Sequence, residues 1–196
     1  MTIDPHTFAE FRRMTEKFHG CAAPGVLLGG HMVTAARTAL PEDTLFEALV
    51  ETRNCLPDAV QLLTPCSTGN GRLHVINHGK MALSLFDKYS GRGIRCFVDP
   101  SRLGPWPEIR AWFMKEKSRE EQNDALLERE IEQAGTSFLA LAEMRADNAF
   151  LGKKSGGPVA LCPCCKESYP RKHGDKCLLC QGEIPFVMWP RQTKTP

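Results

Sequence analysis

The sequence predicts an α+β protein, an antiparallel sheet with packed helices, that carries a small C-terminal zinc-ribbon or treble-clef module. Three observations predict it. Amphipathic helical patterns near the N-terminus give way, after Gly71, to short apolar runs separated by glycine turns, the pattern of a strand meander. Lys153-Lys154-Ser155-Gly156-Gly157-Pro158 reads as a linker. Beyond it stand two CxxC pairs. With 196 residues, 42% of them hydrophobic, the chain has room for one ordinary core and a small appendage. The expected division is a core over 1–152 with a helical extension from about 105, a linker over 153–158 and a zinc module over 159–196.

A net charge of +2 argues against a global field for nucleic acid, anionic membrane or an acidic substrate. The opening MTIDPHTFAEFRRM has no hydrophobic signal core, and no later run approaches the roughly 20 apolar residues of a membrane span. A cytoplasmic location is expected. Nine cysteines, an odd number, without an export signal and partly in CxxC pairs, point to thiols kept reduced for metal or redox chemistry.

In chain order, Asp4-Pro5 reads as a helix start, followed at helical spacing by Phe8, Phe11, Met14 and Phe18, a core stripe that delivers the chain to His19. The loop His19 to Gly25 places an imidazole and, at Cys21, a thiol two residues apart. Both are plausible metal ligands and equally plausible buried residues, since two donors cannot complete a tetrahedral site. A helix over Val26 to Thr38 follows, with Gly29-Gly30 allowing close packing and His31 read as structural. Leu45 to Thr52 reads as a strand. Asn54 then caps a helix with Cys55 in its first turn and Leu56, Ala59, Val60 and Leu63 on one face, closed by Pro65. A thiol there lies near the positive end of the helix dipole, which favours thiolate.

Cys66-Ser67-Thr68-Gly69-Asn70-Gly71 is either a loop whose hydroxyls and N–H groups hold a polar ligand or a tight turn with a buried cysteine. A helical rise of ~1.5 Å per residue separates Cys55 from Cys66 by roughly 15 Å, too far for one metal. Leu73 to Asn77, Lys80 to Lys88 and Gly93 to Asp99 read as three strands of an antiparallel meander, with Cys96 a small buried apolar side chain. After a proline-rich bend at 100–107, Glu108 to Glu116 reads as helical. The charged run beyond it, continuing through Phe138, Leu141 and Met144 to Asn148, reads as helices with a solvated face or a face that packs on a second copy of the chain.

Cys162 and Cys165, then Cys177 and Cys180, give C-x2-C-x11-C-x2-C. Two such knuckles close a four-sulfur site around Zn2+ with no position open for water, and the metal supplies stability that so short a segment cannot obtain from a core. Cys164 is a spare. Lys166, Arg171, Lys172, His173 and Lys176 offset the negative charge of such a site, which is favoured over a nucleic-acid footprint because aromatic interleaving is sparse.

Phe18-His19-Gly20 to Pro24-Gly25, Cys55 with Asp58-Ala59-Val60-Gln61, Cys66 to Leu73, Gly79-Lys80 and the two knuckles together resemble the formylmethanofuran dehydrogenase E-subunit family, over most of the chain. The resemblance implies an α+β core with a C-terminal treble-clef zinc finger. It also implies a homodimeric cytoplasmic protein of anaerobic metabolism, metal in the core, and a molybdenum or tungsten dehydrogenase as partner. The family's first motif usually reads HGHxCPG. Here Cys21 stands in place of the second histidine and Ala23 in place of the cysteine, which alters any family core site.

The leading reading is a metal- or metallo-cofactor-binding accessory protein. His19, Cys21 and Cys55 would form its core site; Cys66, Ser67, Thr68, Gly69, Asn70 and Lys80 would line a neighbouring polar pocket. Small Ala22 and Ala23 leave room for a larger group such as haem or a pterin. The first alternative is an enzyme using a core thiolate or a metal-activated water. The second is a zinc-finger adaptor for a protein or nucleic acid.

Overall fold

Thr2–Ile3 (β1) and His6–Thr7 (β2) pair antiparallel around an Asp4-Pro5 turn whose peptide bond is cis, so the first helix begins later than Asp4-Pro5 suggests. A computed structural model of the chain describes residues 2–152 and 156–182. Thr7 caps α1 (Phe8–His19): its hydroxyl accepts the Glu10 N–H at 3.2 Å, and the Glu10 carboxylate accepts the Thr7 N–H at 2.8 Å. That reciprocal box satisfies two of the helix's orphan donors. Phe8 and Phe11 are buried, whereas Phe18, at 53% exposed, leaves the apolar stripe. Gly20 ends the helix in the left-handed conformation.

Helix α2 (Pro24–Thr38) is buried continuously from Gly25 to Val33, which makes it the centre of the core. Gly29 sets its distance from α3 (Leu56–Leu63). A Cβ at Gly29 would lie 2.7 Å from the Ala59 Cβ, so only glycine allows this approach. His31 is 1% exposed and its ring stacks on Phe8 at 6.0 Å, a packed residue.

The sheet contains β3 (Phe46–Val50), β4 (Leu73–Val75), β5 (Ala82–Asp87), β6 (Arg92–Val98) and β7 (Leu139–Arg145) in the order β4-β3-β5-β6-β7. Two features depart from the sequence reading. First, β4 is not the opening strand of a meander. It pairs parallel with β3, with Ala48 opposite Leu73 and Val50 opposite Val75, so β3, α3 and β4 form a βαβ crossover and β3 separates β4 from β5. The helix supplies the length that a parallel connection requires. Second, Phe138, Leu141 and Met144 are not a helical stripe. Helix α4 (Pro107–Phe113) and helix α5 (Asp124–Ala134) form as the patterns suggest, but the chain breaks at Gly135 and then runs as β7 along β6, from Arg92 opposite Arg145 to Val98 opposite Leu139. Backbone pairing along the whole of β6 outweighs a three-residue spacing that is too short to define a helix.

Ala48, Val50, Leu83, Leu85, Cys96 and Val98 share one buried core with Leu27, Leu28, Met32 and Val33 of α2. Strand alternation puts Glu47, Glu51, His74 and Arg95 on the other face, where they pair: His74 with Glu47 at 3.0 Å and Arg95 with Glu51 at 2.6 Å. Among the described residues no helix is long and apolar enough to cross a membrane.

The chain divides into two compact units, Met1–Gly152 and Lys153–Pro196. In the second, β8 (Val159–Leu161) and β9 (Ser168–Pro170) form an antiparallel hairpin, followed by 3-10 turns at Arg171–His173 and Leu178–Gln181. Residues 153–155 of the expected linker, and the module beyond residue 182, lie outside the described residues.

Candidate functional site

Each CxxC pair is bent into a knuckle by its own backbone. The Lys166 N–H donates to the Cys162 carbonyl at 2.9 Å, with Lys166 in the left-handed region, and the Gln181 N–H donates to the Cys177 carbonyl at 3.1 Å. The hairpin places the first knuckle, and the second is held by the Gln181 side chain, whose Nε2 donates to the carbonyls of His173 at 2.7 Å and Lys176 at 2.6 Å. As a result the sulfurs of Cys162, Cys165, Cys177 and Cys180 lie within 4.8 Å of one another, Cys165 and Cys177 at 3.7 Å. A tetrahedron with Zn–S bonds of about 2.3 Å has edges of about 3.8 Å, so the quartet fits Zn2+. Backbone N–H groups of Cys165 and Cys177 draw the Cys162 thiol down to about 6, while hydrogen bonding with Cys177 pushes Cys180 up. Four adjacent thiolates repel one another, and a divalent cation at their centre removes that conflict. Exposed Cys164 stands outside the quartet.

In the core unit, Cys55 is itself the N-cap of α3 and not a first-turn residue; its φ of 55° lies in the left-handed region. Burial is the largest influence on its thiol and raises its pKa, reinforced by the Asp58 carboxylate and by Cys21. Desolvation and a neighbouring negative charge therefore outweigh the helix dipole at this thiol. His19, at the end of α1, places Nδ1 2.6 Å from Oδ2 of Asp58 in the first turn of α3. Cys21 and Cys55 line one cavity of about 810 Å³, together with Ala22, Ala23, Trp112 and Lys115. Through Gly25, Cys55, Trp112 and Lys115 this cavity adjoins a second of about 750 Å³ that Lys80 and Arg95 also line. No motif in the sequence points to Arg95, Trp112 or Lys115; the fold alone brings them to Cys55. Among the described residues the cysteine quartet is the one group of three or more ligand atoms close enough to hold a metal ion, and His19, Cys21 and Cys55 do not form another.

The Cys66–Asn70 loop does not line the cavity that Lys80 lines. It closes on itself instead. Asn70 Oδ1 accepts from the N–H groups of Ser67 and Arg72, both at 3.0 Å, Ser67 Oγ accepts the Asn70 N–H at 3.1 Å, and Asn70 Nδ2 donates to the Pro65 carbonyl at 2.7 Å. The donors that could have met an anion are consumed within the turn. Cys66 is buried and donates to the Phe46 carbonyl at 3.6 Å, while burial raises its pKa. Buried Cys96 is pushed up to about 12 by desolvation, as suits a packed thiol.

Comparison with known proteins agrees with this division. Residues 18–146 match the family described as FmdE, molybdenum formylmethanofuran dehydrogenase operon, and residues 153–187 match the FmdE treble clef zinc finger. A solved FmdE-like protein of tungsten formylmethanofuran dehydrogenase, from Syntrophus aciditrophicus, superposes with a TM-score of 0.88 at 47% identity, covering 95% of this chain and 98% of that one. A probable S-adenosyl-L-methionine-binding protein of Archaeoglobus fulgidus is 33% identical over 109 residues, 52% of this chain; the match spans only 28% of that protein's length. The chain belongs to the FmdE family and carries that family's treble-clef zinc finger with its four-cysteine cluster.

Proposed function

We propose that this FmdE protein is an accessory protein that binds a metallo-cofactor, its core unit holding the group and its zinc finger serving a structural role. One observation carries the reading: Cys21, from the loop before α2, and Cys55, from the cap of α3, line the same cavity. Their placement on the wall of a cavity of about 810 Å³, without convergence on a point, favours a metal carried inside a larger group over a bare ion. Ala22 and Ala23 keep the wall shallow. Cys21 and Cys55 are the residues that would ligate such a group, which supplies electron transfer or Lewis acidity when bound. His19, held by Asp58, would orient the entrance. The family's description ties it to the operon of a molybdenum formylmethanofuran dehydrogenase, and a dehydrogenase of that class is the proposed partner of a homodimer.

Elemental analysis and absorption spectroscopy of anaerobically purified protein, with haemin as the titrated probe, test the reading. A second metal beside one zinc per chain, or a Soret shift, that disappears in a Cys21→Ala/Cys55→Ala variant supports it. One colourless zinc, unchanged in the variant, with no response to haemin, removes it.

A further inference from the structure

The second cavity differs from the first in charge. No carboxylate lines it, whereas Glu16, Asp124 and Glu128 all stand on the wall of its neighbour. Its cations are Lys80, Arg95 and Lys115. Arg95 is committed, with Nε and a terminal nitrogen 2.6 Å and 3.0 Å from the two oxygens of Glu51. Lys80 and Lys115 have no carboxylate partner among the described residues, although Lys117 and Arg119 nearby are each paired. Both free lysines are held by the backbone. The N–H groups of His78 and Lys80 donate to the Glu51 carbonyl at 3.0 Å and 3.2 Å, which pins the short loop that presents Lys80.

Lys115 follows the last turn of α4 with φ 58°, and the Glu116 N–H returns to the Ala111 carbonyl at 2.9 Å, a helix ending whose left-handed position usually falls to glycine. A lysine accepts that strain of order 1 kcal/mol here, and its Nζ stands 5.3 Å over the Trp112 ring on the cavity wall. The cavity thus offers two unpaired ammonium groups beside an indole face, within a volume of about 750 Å³ suited to a small molecule.

We propose that this second cavity binds a small planar heteroaromatic anion, its carboxylate or phosphate held by Lys80 and Lys115 and its ring laid against Trp112. The site is independent of any group bound between Cys21 and Cys55. Attraction between unpaired cations and an anion in a partly enclosed site is stronger than at an open surface, and an aromatic ring gains from stacking on the indole.

Calorimetric titration of the zinc-loaded full chain tests the proposal with probes that separate its parts. Adenosine 5′-phosphate represents a phosphate and indole-3-acetate a carboxylate; adenosine, indole-3-acetamide and ribose 5-phosphate each lack either the charge or the ring. At least one of the two aromatic anions binds at least tenfold more tightly than its neutral counterpart, and ribose 5-phosphate binds more weakly than adenosine 5′-phosphate if phosphate is the anchor. Lys80→Met and Lys115→Met each weaken the aromatic anion about tenfold, and Trp112→Leu weakens it without changing the preference for charge. Unaltered thermal melting certifies that each variant is folded. Failure of both anions to bind at millimolar concentration, equal binding of charged and neutral probes, or unchanged affinity in the lysine variants overturns the proposal. Cys21→Ala separates it from the metallo-cofactor reading: retained affinity supports a lysine-held anion, and lost affinity assigns the anion to the cysteine-bound group instead.

Discussion

Gly25 and Cys55 are packed so closely that a Cβ on Gly25 would lie 2.9 Å from the Cys55 Cβ and 3.0 Å from its sulfur. The start of α2 and the cap of α3 meet at this point, and the position of the thiol depends on the missing side chain. Gly25→Ala is expected to displace Cys55, cost about 2 kcal/mol in stability as an overpacked core contact, and reduce occupancy of the cavity between Cys21 and Cys55. Denaturant unfolding and elemental analysis of the variant measure the two effects. Unchanged stability would mean that the contact relaxes without cost.

Glu51 anchors the polar face of the sheet. Hydrogen bonding from Arg95, the largest influence, holds its carboxyl below the ordinary value of 4.5, and His78 adds to the effect. A depressed carboxylate contributes stability that is fully present above its unfolded pKa and is lost as pH falls through the lower folded value. Wild-type melting temperature should therefore fall more steeply on acidification below about pH 4.5 than that of Glu51→Gln. At neutral pH the variant should be less stable by about 2 kcal/mol, because Arg95 keeps its position without a counter-charge.

His31 has the opposite sign. Burial lowers its pKa from 6.5 to about 4, despite hydrogen bonding with the Ile131 backbone, and its Nε2 is buried without a partner. The unfolded chain takes up a proton that the folded one refuses, so stability declines as pH falls from 6.5 towards 4, by at most about 3 kcal/mol. His31→Leu removes this decline. Chemical denaturation at pH 7 and pH 5 should show a smaller difference for the variant than for wild type.

Zinc removal should act on the C-terminal unit alone. A chelator, or Cys177→Ser, is expected to make residues 159–182 protease-sensitive while the melting transition of 1–152 stays in place. Cys164→Ser should keep its zinc, because Cys164 lies outside the quartet. Loss of zinc in Cys164→Ser would reassign the first knuckle.

The zinc finger was legible in the chain because a knuckle is a local object. Its two sulfurs are three residues apart, and the turn between them needs no distant partner. For the same reason α2, α3 and the buried roles of His31 and Cys96 could be read from periodicity and composition. The family resemblance, carried by short motifs, agrees with the match over residues 18–146.

What required tertiary structure was set by pairing between distant segments. The placement of β3 between β4 and β5, and the conversion of Leu139–Arg145 from expected helix to edge strand, depend on registers with partners far along the chain. The same limit governed the candidate site. At Cys55 the helix dipole is a local quantity, but burial against α2 and the proximity of Asp58 and Cys21 are not, and they reverse the expected effect. At Asn70 the turn spends its own donors, which residue type alone cannot reveal. By itself, then, the sequence determined the zinc knuckles, the principal helices and the family. The fold decided which side chains stand next to Cys55, because desolvation and charge act through distances in space.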